Sequence, residues 1–209
     1  MKNNQLIVNN RETGKTTHLF NEIVRLVKEG SNIIVLDSAT EHEDKSLLRK
    51  VMNSFDNAVS IDIRDERMVA LNQVSIQEFI SKFMCFFPFQ EVFNNRGKII
   101  CFDLSYFLER GHDIFDETND RDKYNYYRSL YNLASQQIVA SLIMMESCGI
   151  IGNSIVVMDE IELPIVDYDI SLFQKDINFI ASVHPENDFG TFYKSFEKLE
   201  FKAYRKRKD

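Results

Sequence analysis

Apolar residues along this chain fall into short unbroken runs and into longer stretches where they return every three or four positions. The unbroken runs are Leu6-Ile7-Val8, Asn32 to Asp37, Lys98 to Asp103, Ser154 to Met158 and Ile177 to Ser182. Such runs suit strands buried on both faces of a parallel sheet. Ala58 to Ile63 alternates instead, as a shorter strand does. His18 to Val27, Asp44 to Phe55 (through Leu47, Leu48, Val51 and Phe55) and Ser75 to Phe87 show helical spacing. Gly30 is placed to stop the first of these helices, and Ser75 with Glu78 forms a capping box for the third. Asp122 to Ser147 predicts a long helix with Tyr127, Leu130, Tyr131, Leu133, Ala134, Ile138, Leu142 and Met145 on one broad stripe. That stripe reads as core, with a ligand role for Tyr124, Tyr126 and Tyr127 as the alternative. Residues 111–122 are polar and without period, so a mobile surface loop is expected there. Strands alternating with helices predict an α/β fold, a mainly parallel β-sheet flanked by helices on both faces.

A length of 209 residues suits one domain over 1–209, and 7 Gly with 3 Pro leave little material for linkers. No segment is apolar enough for long enough to span a bilayer, and the Lys/Asn-rich start lacks the apolar core of a signal peptide, so a cytoplasmic protein without membrane insertion is expected. Cys85, Cys101 and Cys148 stand far apart, which indicates neither a disulfide framework nor a zinc knuckle. The net charge of −7 divides unevenly: residues 202–209 hold Lys202, Arg205, Lys206, Arg207 and Lys208 against Asp209, a tail of +4 on a body of −11. Such a tail meets nucleic acid or an acidic subunit, or is a solvated end.

Directly behind Leu6-Ile7-Val8 comes Asn9-Asn10-Arg11-Glu12-Thr13-Gly14-Lys15-Thr16-Thr17, and helical spacing follows it. A turn between a strand and a helix N-terminus collects backbone N–H groups and the positive end of the helix dipole, which attract phosphate. Lys15 would reach the β and γ phosphates of ATP and the Thr16 hydroxyl would ligate Mg²⁺, as in the G-x-x-x-x-G-K-[ST] loop. Asn9 takes the place of the first glycine, and Asn visits the left-handed region at tolerable cost. An ordinary strand-to-helix turn is the alternative.

Ser154-Ile-Val-Val-Met158 ends in Asp159-Glu160. Strand C-termini of an open α/β sheet lie at its ligand edge, so Asp159 is expected at Mg²⁺ and Glu160 at the water that attacks the γ-phosphate. Two solvated acids capping a strand would look the same. The next strand ends in Ser182-Val183-His184-Pro185, where His184, or alternatively Ser182, would hydrogen-bond the phosphate. His18, His42 and His112 have no partners at metal-ligand spacing, so no metal beyond Mg²⁺ is expected.

With these elements in this order, the chain resembles the FtsK/HerA group of RecA-like motor ATPases. The strand ending in Asp37, with Glu41 soon after, the run Ile-Ile-Cys-Phe-Asp-Leu-Ser, the long helix and the segment Asp159-Glu160-Ile-Glu-Leu are the matching parts, and the last is similar to conjugative coupling proteins. The resemblance implies an ATP-hydrolysing motor acting on DNA, with Lys15, Thr16, Asp159 and Glu160 in the nucleotide site. It also implies a ring of subunits and an arginine donated by the neighbour, for which Arg121 and Arg128 are the candidates. Ser-Val-His-Pro stands where that group has a Thr-Gln pair. Two other functions stay open: a P-loop kinase acting on a small acceptor, and a nucleotide-dependent regulatory or assembly subunit with slow turnover.

Overall fold

A strand with no polar face has to be covered on both sides, and Asn32–Asp37 meets that condition with all six residues buried. The computed structural model describes residues 4–8, 14–37, 46–62, 97–147, 154–161, 178–183 and 197–199. Within them the strands are β1 (Gln5–Val8), β2 (Asn32–Asp37), β3 (Ala58–Asp62), β4 (Ile99–Asp103), β5 (Ser154–Asp159), β6 (Asn178–Val183) and β7 (Glu197–Leu199). The helices are α1 (Lys15–Lys28), α2 (Leu47–Ser54), α3 (Ser105–Thr118) and α4 (Arg121–Ser147). The strands form one sheet in the order β3-β4-β2-β5-β6-β1-β7. Every neighbouring pair is parallel, so the expected α/β architecture with a parallel sheet is present.

Alternation along each strand divides the core in two. Ile33, Val35, Ile99, Cys101 and Val157 point to one face, where they bury Leu19, Ile23 and Leu26 of α1 and Leu47 and Val51 of α2. Ile34, Leu36, Ile100, Phe102 and Met158 point to the other, against Phe107 of α3 and Tyr131, Ala134, Ile138 and Leu142 of α4. The tyrosine-rich stripe is therefore core at Tyr131, Ala134, Ile138, Leu142 and Met145, while Tyr126 is 55% exposed. Gly30 (φ 81°) follows the last turn of α1, and its N–H donates to Val27 O at 3.0 Å, as expected of a glycine stop.

The expected loop at 111–122 is a correction. Residues 111–118 complete α3, the turn falls at Asn119 (φ 53°), and α4 begins at Arg121. The helix escapes notice because its seam with α4 uses Gly111 where a periodic pattern would show an apolar residue. A Cβ added there would lie 3.2 Å from Tyr127 Cβ, so the missing side chain lets the two helices approach. Lys123 N donates to Asp120 Oδ1 at 3.0 Å and caps α4. The three-residue strand β7 is too short to show a pattern of its own. The helix expected over Ser75 to Phe87 lies outside the described residues, as does the tail 202–209.

Candidate functional site

Register brings one polar row to the carboxyl ends of the strands. Asp62 pairs with Asp103, Asp103 with Asp37, Asp37 with Asp159, and Asp159 with Ser182. Residues paired in register share a face, and Asp37 lies two residues beyond Val35, so the row is on the α1/α2 side. Three of these strands end in aspartate after an apolar run, which was visible in the sequence; that they stand side by side was not.

Each described member of the row has a distinct environment. Asp103 Oδ1 accepts from Ser105 N at 3.0 Å and Ser105 Oγ at 2.6 Å, which starts α3. Asp37, 2% exposed, accepts from Leu48 N at 2.7 Å through Oδ2 and ties the first turn of α2 to the sheet. Asp159, 4% exposed, accepts from the Ser182 hydroxyl and from the side chain of Thr16. Burial pushes its carboxyl above the usual range; the Ser182 and Thr16 hydrogen bonds act against that, Glu160 adds to it, and Lys15 opposes it. Cys101, in the same core, is an inert thiol that burial, with Asp37 nearby, pushes up to about 12.

The turn into α1 supplies the other half. Gly14 precedes the helix at φ 87° and ψ 19°, in the left-handed region. Nothing lies within 4 Å of where its Cβ would be, so the backbone angle, and not crowding, calls for glycine here. His18 N donates to Gly14 O at 2.9 Å, so the intrahelical ladder starts there and the N–H groups of residues 15–17 precede it. Thr16 turns to Asp159 across the sheet edge. Lys15, only 4% exposed, holds Glu160 Oε1 at 3.1 Å, while the glutamate side chain is 44% exposed.

Glu160 is itself in an uncommon conformation, with φ 55° just past the end of β5. A left-handed non-glycine residue costs on the order of 1–2 kcal/mol, and two contacts hold this one. Its N–H donates to Ser182 O at 3.0 Å, and its carboxylate meets Lys15. Ser182 thus fixes both acids, Asp159 by its hydroxyl and Glu160 by its carbonyl oxygen. Strand β6 stands between β1 and β5, which separates the loop strand from the carboxylate strand by roughly 10 Å. Ser182 is carried on the strand that fills this interval.

The structure therefore brings together Gly14, Lys15, Thr16, Asp159, Glu160 and Ser182. Asn9, Asn10, Arg11, Glu12, Thr13 and His184 lie outside the described residues. Thr17 is on the first turn of α1, where Lys50 Nζ of α2 donates to its Oγ1 at 3.2 Å. Nothing in the sequence of a short amphipathic helix signals which neighbour Lys50 meets. Arg121 and Arg128 are exposed residues of α4, which packs on the face opposite α1.

Among the described residues no group of three or more His, Cys, Asp or Glu side chains could hold a metal by itself. The pair Thr16 and Asp159 still fits Mg²⁺, which keeps several waters and is bound through one or two carboxylates together with substrate phosphates. Among the described residues, too, no helix is long and apolar enough to cross a membrane. Compared with known proteins, the sequence matches no family model and no curated relative.

Proposed function

We propose that this protein is a Mg²⁺-dependent, ATP-binding P-loop protein that hydrolyses ATP, with the FtsK/HerA group of RecA-like motors as its kin. The observation that carries the reading is the meeting of the head of α1 with the end of β5, where Lys15 pairs with Glu160 at 3.1 Å and Thr16 faces buried Asp159. P-loop ATPases hold Mg²⁺ with those two kinds of residue, a loop Ser/Thr and an aspartate at a strand end. Bound there, the ion would neutralise charge on the phosphate oxygens.

Every other role falls to the chain. The N–H groups of residues 15–17 and the Lys15 ammonium bind phosphate oxygens. Glu160, the more exposed of the two acids, takes the proton from the attacking water. Ser182 positions both carboxylates through the contacts described above. For Glu160 to act, its ion pair with Lys15 has to open, since one carboxylate cannot neutralise the lysine and accept a proton from water with full basicity. The same ion pair favours a second reading, a nucleotide-dependent subunit with slow turnover.

A ring assembly follows from the resemblance, and action on DNA from the resemblance together with the basic residues of the tail 202–209. The test is equilibrium binding of ATP by calorimetry together with phosphate release, with and without DNA. Lys15→Ala is expected to abolish binding or weaken it severely. ATP affinity unchanged by that substitution refutes the site, and transfer of the γ-phosphate to a nucleoside acceptor instead of water would make the protein a kinase.

A further inference from the structure

Lys50 occupies a place that its own helix cannot account for. Its ammonium reaches Thr17 Oγ1 at 3.2 Å, 33 residues away in sequence and on another helix. Two contacts lock the turn that presents it: Asp37 Oδ2 accepts from Leu48 N at 2.7 Å, and Ser46 Oγ accepts from Arg49 N at 3.1 Å. Leu47 and Val51 bury the inner face of α2 among Leu19 and Ile23 of α1, which sets the rotation of the helix. Lys50 precedes Val51 by about 100° of helical turn and so emerges beside α1.

A hydrogen bond between exposed lysine and threonine side chains contributes little to stability, because both groups are equally well served by water. Its position is more informative. Thr17 is the third residue of α1, and its N–H is among those preceding the intrahelical ladder. Successive residues of that turn address different partners: Lys15 meets Glu160, Thr16 meets Asp159, and Thr17 meets Lys50. A carboxylate engages the first of these groups, whereas the cation Lys50 stands at the third.

We propose that Lys50 is a second phosphate-binding cation of the same site, delivered from α2, so that a nucleoside polyphosphate is held by Lys15 and Lys50 together. The inference rests on the nucleotide-site reading above, and it adds a recognition residue outside the loop motif. Cations that meet the first and third residues of the turn favour a chain of phosphates over a single one.

Binding of a non-hydrolysable ATP analogue, ADP and AMP is measured by calorimetry with Mg²⁺ present and at several salt concentrations, so that hydrolysis plays no part. Lys50→Met keeps the aliphatic stem and removes the charge. It is expected to weaken ATP and ADP about tenfold to a hundredfold, the range of a lost charge-assisted hydrogen bond, to affect AMP less, and to flatten the salt dependence. Lys50→Arg should restore most of the affinity, and the melting temperature of both variants should stay at the parent value. If Lys15→Ala loses ATP while Lys50→Met binds it with the parent affinity and salt slope, the nucleotide site stands and the role of Lys50 is overturned. If the parent protein binds no nucleotide, both readings fall.

Discussion

Lys15 and Glu160 form an ion pair of 3.1 Å in which the ammonium is almost fully buried and the carboxylate is half open to solvent. The lysine that should meet phosphate is thus already neutralised by the residue that should activate water. On the proposed function, a nucleotide would have to compete with this internal anion, and its arrival would release the glutamate for chemistry.

Glu160→Gln therefore acts in two directions. Affinity for ATP should rise about twofold to fivefold, the range of a partly exposed ion pair, since the amide no longer competes for Lys15. Turnover should fall steeply because an amide is no base. Stopped-flow binding and phosphate release separate the two effects. A variant that hydrolyses at the parent rate would show that Glu160 is not the base.

The raised carboxyl of Asp159 makes a prediction about pH. A carboxyl that titrates higher in the folded than in the unfolded state holds its proton better when folded, so its contribution is most favourable at low pH. That advantage is lost as pH rises through the unfolded and then the folded value. At pH 7, far above the unfolded value, burying this acid thus lowers stability, and Asp159→Asn should raise the melting temperature by a few degrees, at roughly 2–4 °C per kcal/mol for a chain of this size. The gain should vanish below about pH 4, near the ordinary carboxylate value. Mg²⁺-dependent ATP binding should be lost in the same variant. A lower melting temperature at pH 7 would mean that the contacts of Asp159 outweigh its burial.

Gly111 tests the α3/α4 seam. Its Cβ position lies 3.2 Å from Tyr127 Cβ and 3.5 Å from a ring carbon of Tyr124. Gly111→Leu gains helix propensity but has to push the helices apart, with a net loss of about 1–3 kcal/mol expected. Chemical denaturation reads the loss, and ATP affinity should be retained because the seam is on the face opposite α1. Unchanged or increased stability would show that the helices part without cost.

The basic tail carries the nucleic-acid question. Truncation after Phe201 removes Lys202, Arg205, Lys206, Arg207 and Lys208 from a chain that is otherwise acidic. If a single chain contacts DNA through them, the truncated protein should bind all sequences more weakly and with a flatter salt dependence. Equal affinity and slope in a fluorescence anisotropy titration would make the tail a solvated end.

The sequence by itself determined six of the seven described strands and where their polar ends fall. Runs such as Ile33 to Leu36 and Ile155 to Met158 have no polar face, so two-sided burial in a parallel sheet was their natural fate. Asp159-Glu160 was legible because it follows directly on such a run, and Gly14-Lys15-Thr16 because it stands between the run Leu6 to Val8 and a stretch of helical spacing. Only the tertiary structure decided which strands are neighbours, since the connections between parallel strands do not encode order. That order placed β6 between β1 and β5, made Ser182 the partner of Asp159, and set Glu160 against Lys15 across 145 residues. It also revealed α3, hidden because its seam is built on a missing side chain, and the approach of Lys50 to Thr17. Periodicity records what a residue's own helix or strand buries; which group it then meets depends on how separate elements pack, and that information is distributed over the whole chain.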